Sequence, residues 1–189
     1  MTNKKIEHYP WYIRLIFWHQ KKKYGHILNS TLLWAKSPRV FIALSWLYTS
    51  LLRKGSPISP ALRSFIIVRV SQINGCPFCV DLNTSVLMQL GIDVNKVQSL
   101  ATWQKSPLFD AKEKLVLEYV EAVTSSTQEI SAKLRKIMRA QFTQEELVEI
   151  TAVIAFQSMS TKFNNAFGVE PQGFCSLMQK PKQSLNDRL

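Results

Sequence analysis

Apolar residues recur at spacings of three and four along most of this chain, and this periodicity is the feature that most constrains its fold. The alternation with a period of two that a half-buried strand needs is scarce. A chain of 189 residues is long enough to bury a sizeable core, and six glycines with eight prolines are too few for a linker-rich protein. The pattern therefore predicts an all-α fold.

Two adjacent helices are predicted in the middle of the chain. Ser59 followed by Pro60 is typical of an N-cap with proline in the first helical turn, and this helix is expected to end at Asn74-Gly75. The next helix is expected to start at Cys76-Pro77 and to end at Gly91, as its C′ glycine. The β-branched stretch SFIIVRV would also suit a strand, but the caps on both sides favour a helix.

Further start and stop signals divide the rest of the chain. Asp110 with Glu113, and Thr143 with Glu146, match the spacing of a capping box. The helices expected outside the central two cover residues 11–23, 38–54, 93–103, 111–124 and 144–167. We therefore predict a basic helical N-terminal extension over 1–57 that packs on the core, a helical core over 58–178, and a polar tail over 179–189.

Positive charge is concentrated in the first third of the chain. The net charge is +11, and residues 1–63 hold eleven basic residues against one acidic residue, Glu7. The run Lys21-Lys22-Lys23 follows an aromatic segment, which suits anionic lipid better than base-specific recognition. Weak contact with an anionic membrane surface is predicted, and no specific nucleic acid is expected. A solvated basic surface is the alternative, and we favour docking of this segment on the core or on a second subunit over insertion at a membrane interface.

The apolar runs are short for a membrane-spanning segment. The longest apolar run extends from Val40 to Leu52, whereas a membrane-spanning helix needs about 20 residues. No secretion signal is visible, because Arg14 interrupts the early apolar stretch and no small-residue cleavage site follows. A cytoplasmic protein, peripheral to the membrane at most, is therefore expected. In that compartment a close cysteine pair is more often catalytic or metal-binding than a structural disulfide.

The stretch SQINGCPFCVDLN carries a CxxC pair at a predicted helix start. If Cys76 is the N-cap, its sulfur lies beside unpaired N–H groups at the positive end of the helix, which lowers its thiol pKa. Cys79 lies one turn along on the same face, so the two sulfurs can form a disulfide with little movement of the backbone. Such a pair suits two-electron thiol chemistry, in which one thiolate attacks and the other resolves.

Two other interpretations of the pair stay open. The cysteines can be plain core residues, or part of a zinc site, but zinc usually has four ligands and no second close pair of ligands exists here. We therefore expect no metal and no other cofactor. Haem attachment is excluded at this motif because Val80, not histidine, follows Cys79. Cys175 is expected to be a free thiol, with a role as third redox partner as the alternative.

The segment LRSFIIVRVSQINGCPFCVDLNTSVLMQLG, residues 62–91, resembles the alkyl hydroperoxidase D (AhpD-like) and carboxymuconolactone decarboxylase family. The resemblance continues more weakly through FDAKEKLVLEYVEAVT and ELVEITAVIAFQSMSTKFNNAFGVEPQGFC. It implies an all-helical fold, a homo-oligomer (dimer, trimer or hexamer), and peroxide reduction by the cysteine pair with a thiol or dithiol electron donor. It also implies that Cys79 attacks peroxide and Cys76 resolves, whereas the helix-end argument gives Cys76 the lower pKa.

The chain departs from the AhpD-type pattern at the proton relay. The glutamate twelve residues before the first cysteine is replaced by Ser64, and the histidine four residues after the second by Asn83. Phe78 stands where a further histidine is often found. Because neither serine nor asparagine titrates near neutral pH, only weak peroxidase activity is expected. The alternative is a non-catalytic oligomeric binding or scaffold protein that kept the fold.

Other polar residues on apolar helices are expected to have structural roles. Arg69 needs a partner, and Glu118 or Glu121 is expected to supply it. Asp81 is expected to cap a helix or face solvent. Three residues interrupt the last apolar helix and are expected to be polar packing, with a pocket or a subunit contact as the alternative: Gln157, Asn164 and Asn165.

Overall fold

The computed structural model describes residues 8–125 and 129–175, and in those ranges the chain is all-α, with no strand. The predicted fold class is confirmed. The predicted tail over 179–189 lies outside the described residues. The α-helices are α1 (Trp11–Tyr24), α2 (Asn29–Trp34), α3 (Pro38–Leu51), α4 (Pro60–Ile73), α5 (Pro77–Gln89), α6 (Val94–Gln98), α7 (Ala111–Thr124), α8 (Ala132–Gln141) and α9 (Gln144–Ala166). A 3-10 helix, Ser99–Lys105, follows α6.

The chain divides into two compact units, Met1–Arg53 and Lys54–Leu189. In the first unit, α1 buries Ile13 and Phe17 in a cluster with Ala35 and Phe41. The predicted packing of the N-terminal extension on the core stays a prediction. No helix within the described ranges is both long enough and apolar enough to cross a bilayer.

The second unit is built around α4, which packs against α5, α7 and α9. One apolar cluster of this unit takes side chains from several of the helices that surround α4. The members of this cluster are Phe65, Val68, Leu87, Val97, Leu100, Trp103, Phe109 and Leu117. Because α4 has neighbours on several sides, its sequence is apolar nearly all round, which explains why SFIIVRV also resembled a buried strand.

The predicted helix starts are confirmed. Ser59 accepts the Leu62 N–H at the start of α4, and both capping boxes, which begin at Asp110 and Thr143, form as expected. Two helices, α2 and α8, were not predicted from the sequence. The sequence does contain a helix-start signal for α8, because Ser131 accepts the Leu134 N–H as an ordinary N-cap.

Candidate active site

Cys76 belongs to the end of one helix and to the start of the next. The α4 helix closes in a Schellman turn, in which the Gly75 N–H donates to the Gln72 carbonyl at 3.1 Å and the Cys76 N–H donates to the Ser71 carbonyl at 3.0 Å. This turn needs the φ of +59° found at Gly75, which glycine adopts without strain. Cys76 is also the N-cap of α5, so the position predicted for its sulfur, at the positive end of a helix, is confirmed.

Cys76 and Cys79 form a disulfide, with Cα atoms 5.3 Å apart. The Cys76 sulfur also accepts the Cys79 N–H at 3.3 Å. The two cysteines are 1% and 2% exposed. The expected proximity of the sulfurs is confirmed, and their burial means that a reactant reaches them only through a local opening of the surrounding structure.

A row of polar side chains on α9 lies against the turn that carries the cysteines. Gln157 donates to the Ser71 hydroxyl at 2.8 Å, and Asn74 donates to the Thr161 hydroxyl at 2.9 Å. Asn164 donates from Nδ2 to the Cys79 sulfur at 3.2 Å. Gln157, Thr161 and Asn164 are all buried, and their spacing of four and three places them on one face of the helix.

Asn164 is therefore a site residue whose role the sequence did not reveal. The sequence signal that could have found it was the polar row at helical spacing on an otherwise apolar helix. Asn165 lies beside this row and donates to the Asn74 carbonyl at 2.7 Å, which holds the turn before the cysteines. The expected polar packing of these residues is confirmed, and for Asn164 the packing includes a sulfur.

The two relay positions provide no base. Asn83 lies one turn after Cys79, but its Nδ2 donates to the Cys79 carbonyl at 2.8 Å and not to the sulfur. Ser64 is buried on α4. A hydroxyl and an amide do not titrate near neutral pH, so neither position can accept the proton of a thiol.

The nearby arginines have other partners. Arg69 forms an ion pair with Glu121, as predicted, with Nε 3.0 Å from Oε1. The Trp103 indole N–H donates to the same carboxylate oxygen at 2.7 Å. Arg63 donates to the Ile58 carbonyl at 3.2 Å. The hydrogen bonds to the two sulfurs come instead from the backbone of Cys79 and the amide of Asn164.

Asp81 holds the segment that follows α9 against α5. Its carboxylate accepts the N–H groups of Gln172, Phe174 and Cys175 at 3.1, 3.0 and 2.9 Å. Phe174 and Cys175 are helical, so Asp81 accepts N–H groups at a helix start, in agreement with the expected capping role. The sequence did not predict which segment is capped, because helical geometry gives the direction of a side chain but not the distant segment that covers it. Burial alone would raise the pKa of Asp81, but the N–H groups of residues 172–175 outweigh burial and hold the pKa below its ordinary value of 3.8.

Cys175 is a free cysteine, as predicted, and its thiol donates to the Asp81 carbonyl at 3.1 Å. Burial, followed by the negative charge and the hydrogen bond of Asp81, raises the pKa of Cys175 from 9.0 to about 11. The thiolate is the reactive form, so Cys175 is a poor nucleophile at neutral pH. This disfavours its role as a third redox partner.

Comparison with known proteins identifies the family. Residues 38–122 match the model of the carboxymuconolactone decarboxylase family. The chain is 33% identical to the uncharacterized protein YnjA of Escherichia coli (strain K12) over 171 residues, which cover 90% of this chain and 94% of YnjA. The chain belongs to the carboxymuconolactone decarboxylase family.

Two solved structures connect this family member to AhpD-like proteins. A peroxidase-related protein from Ralstonia eutropha JMP134 with an alkylhydroperoxidase AhpD core is 23% identical, covers 94% of each chain, and has a TM-score of 0.83. The protein ATU0492 from Agrobacterium tumefaciens, a candidate antioxidant defence protein AhpD, is 26% identical, with 74% of this chain and 94% of that chain covered and a TM-score of 0.69. The predicted AhpD-like membership is confirmed.

Within this AhpD-like fold, the Asp81 anchor predicts an acid-sensitive segment. Because the folded pKa of Asp81 is lowered, its stabilising contribution is complete well above pH 3.8 and is lost as the pH falls through the folded value. We expect Asp81→Asn to mimic the protonated carboxyl at neutral pH. Because a hydrogen bond to a charged acceptor is stronger than one to a neutral acceptor, amide exchange at residues 172, 174 and 175 should become about tenfold faster in this variant.

Hydrogen exchange followed by mass spectrometry measures this effect. Asp93→Asn is the matched control, because it removes the same charge from a cap that accepts the N–H groups of Asn95 and Lys96 at the start of α6. Exchange at residues 172–175 should not change in the control. Unchanged exchange in the Asp81 variant would contradict the anchoring role.

Proposed function

We propose that this protein is a thiol-disulfide oxidoreductase in which the Cys76–Cys79 pair cycles between disulfide and dithiol, with slow reduction of hydroperoxides as its activity. The observation that carries the proposal is the disulfide at the N-terminus of α5, in which each sulfur accepts one N–H donor. Donors of this kind favour the thiolate once the disulfide is reduced.

The proposed reaction has three steps. The Cys79 thiolate attacks one oxygen of a hydroperoxide, the O–O bond breaks, and an alcohol leaves after it takes up a proton, so that Cys79 becomes a sulfenic acid. The Cys76 thiol then attacks the Cys79 sulfur, the disulfide forms, and water leaves. A thiol or dithiol donor from outside the chain restores the pair by thiol-disulfide exchange, which supplies two electrons and two protons.

Asn164 supports the assignment of the attacking role to Cys79. Its amide reaches the Cys79 sulfur from a different helix and is itself buried, so the donor is held in place by packing on α9. A hydrogen bond to a charged acceptor stabilises it by about 1.5–3 kcal/mol. The resemblance to AhpD-type proteins points to the same cysteine.

The rate is expected to be low because Ser64 and Asn83 replace the glutamate and histidine of the relay. A positioned general base typically contributes about 10²–10⁴-fold. Without a general base, the thiol proton must be transferred to water, and the burial of the cysteine pair slows this transfer. We expect a homo-oligomer, as the family resemblance implies, and a donor of the thiol class.

A second candidate function is an oligomeric scaffold or binding protein without catalysis. Two observations favour it: the disulfide is almost inaccessible, and the relay residues are absent. In this alternative the disulfide only stabilises the turn between α4 and α5. The two candidates differ in whether the disulfide can be reduced and formed again without loss of the fold.

The deciding experiment is a redox titration of the folded protein in dithiothreitol buffers, with thiol trapping and mass mapping. We expect the Cys76–Cys79 bridge to open and close reversibly while Cys175 remains a thiol. Hydroperoxide consumption is measured in a parallel assay with excess dithiol. It should be slow but above the background rate. Bridges that involve only Cys175, a stoichiometric zinc that protects both thiols, or a reversible bridge with no turnover would contradict the proposed enzyme, and the last result would support the scaffold.

A further inference from the structure

The helix α1 carries two apolar faces. One face, with Ile13 and Phe17, is buried in the core of the first unit together with Ala35 and Phe41. The docking of this segment on the core or on a second subunit, expected from the sequence, stays a prediction. The second face stays in contact with solvent: Trp11, Leu15 and Trp18 are 71%, 56% and 63% exposed. Their spacing of four and three residues makes them one stripe.

Basic side chains flank this stripe. Arg14 and Lys21 line the same shallow groove as Trp11, Leu15 and Trp18. The Lys22 ammonium lies 5.5 Å from the centre of the Trp18 ring, and Lys21, Lys22 and Lys23 occupy the last turn of the helix. The sequence contains no aspartate or glutamate between residues 8 and 63, so no acidic side chain of this segment compensates the charge.

We propose that this face of α1, formed by Trp11, Leu15 and Trp18 with the flanking basic residues, binds the surface of an anionic lipid bilayer. Tryptophan side chains favour the boundary between headgroups and acyl chains, where an apolar ring can be buried beside a polar environment. The lysines and the arginine then face the phosphates of the headgroups, and the helix lies parallel to the surface. The attraction is reversible and depends on salt.

A second copy of the chain fits this face less well. In a two-fold symmetric contact the same patch meets itself, so Arg14 and the three lysines would approach their own copies. Like charges in an interface are repulsive, and this segment has no acidic residue to offset them. Nucleic acid also fits less well, because exposed Leu15 in the centre of the stripe has no ring to stack on a base.

Exposed apolar side chains on α3 provide a contrast. Val40, Ile42 and Trp46 are 49%, 38% and 75% exposed, but no charged residue lies between Arg39 and Arg53. Nothing in this composition selects an anionic surface. Trp46 is therefore a suitable control for the tryptophans of α1.

The test uses the full chain and vesicles of phosphatidylglycerol with phosphatidylcholine, compared with phosphatidylcholine alone. We expect co-sedimentation with the anionic vesicles at low salt and release as the salt is raised. Replacement of Lys21, Lys22 and Lys23 by glutamine should lower the partition coefficient about a hundredfold, since each basic residue near an anionic bilayer contributes about fivefold. Replacement of the exposed α8 residues Lys133, Arg135 and Lys136 by glutamine removes the same charge. This control should change the partition coefficient by less than about threefold.

The aromatic part of the surface is tested separately. Trp11→Ala with Trp18→Ala should lower the partition coefficient at least about tenfold and abolish the blue shift of tryptophan emission on vesicles, because burial of a large apolar side chain is lost. Trp46→Ala should retain both. All the changed side chains of α1 are exposed, so thermal melts of these variants should match the parent protein.

Four results would overturn the proposal. They are failure of the parent protein to bind anionic vesicles at low salt, an equal loss in the α8 control, an equal loss in Trp46→Ala, and binding to duplex DNA but not to vesicles. Sedimentation equilibrium without lipid tests whether a second copy of the chain covers this face instead. If the parent protein does not bind vesicles, and its oligomer dissociates only in the variant that lacks Trp11 and Trp18, this face belongs to a contact between two copies.

Discussion

Replacement of Cys79 by serine is expected to abolish hydroperoxide turnover, with a loss of about a thousandfold or more, because a hydroxyl cannot replace a thiolate as the nucleophile at neutral pH. Turnover is measured with excess dithiol and an alkyl hydroperoxide. Cys76→Ser should also lower turnover, but for a different reason. It leaves the attacking thiol intact and removes the resolving one, so when the dithiol is omitted one equivalent of peroxide should be consumed and one sulfenic acid should accumulate on Cys79.

Cys175→Ser is the matched control for these variants. Cys175 has a pKa of about 11, so it is a thiol at neutral pH and its loss should leave turnover within about twofold of the parent. The reverse pattern, with sulfenic acid trapped on Cys76 in the Cys79 variant, would assign the attack to Cys76 and favour the helix-end argument. Turnover that survives both substitutions would contradict the role of the pair.

Asn164 gives this experiment a further arm. Asn164→Ala removes the amide that donates to the Cys79 sulfur and leaves in place the backbone N–H of Cys79, which donates to the Cys76 sulfur. The first peroxide step in Cys76→Ser should then slow about tenfold, which corresponds to the loss of one hydrogen bond to a thiolate. The pH at which Cys79 reacts with an alkylating reagent should rise in the same variant. A purely structural role would lower the melting temperature without moving this pH.

The elements around the cysteines could be predicted because their signals are local. An N-cap, a proline in the first turn and a glycine with positive φ all act within a few residues, so Ser59, Pro60 and Gly75 define the end of one helix and the start of the next. The capping boxes at Asp110 and Thr143 are equally local. The disulfide geometry follows from the same local turn, since the two cysteines are three residues apart on one helix.

The partners of the site could not be predicted because they come from distant parts of the chain. Asn164 is 85 residues from Cys79, and Asp81 binds backbone groups 91 to 94 residues away. Periodicity shows that α9 has a buried polar row but not which helix it faces. The exposure of the α1 tryptophans is a tertiary property as well, since their sequence spacing is equally consistent with a buried face.

Restoration of the relay should produce the largest gain in rate. Ser64→Glu combined with Asn83→His places a carboxylate and an imidazole at the two positions of the AhpD-type pattern. We expect peroxide reduction to rise about a hundredfold, the lower end of what a positioned base contributes, because the surrounding packing has not been adapted to these side chains. The double variant is preferable to Ser64→Glu alone, since Ser64 is buried and a lone carboxylate there would lack a partner.

The pH profile shows whether the new histidine acts as a base. It must be neutral to accept a proton, so the gain should appear as the pH rises through about 6.5 and should be small below it. Gln98→Glu with Gln89→His adds the same side chains at exposed positions and should leave both rate and profile unchanged. A thermal melt confirms that each variant is folded. If the parent protein is already fast and the double substitution has no effect, the account of the missing base is wrong. The thiol proton would then have to leave by another route, such as water admitted by a local opening around the sulfurs.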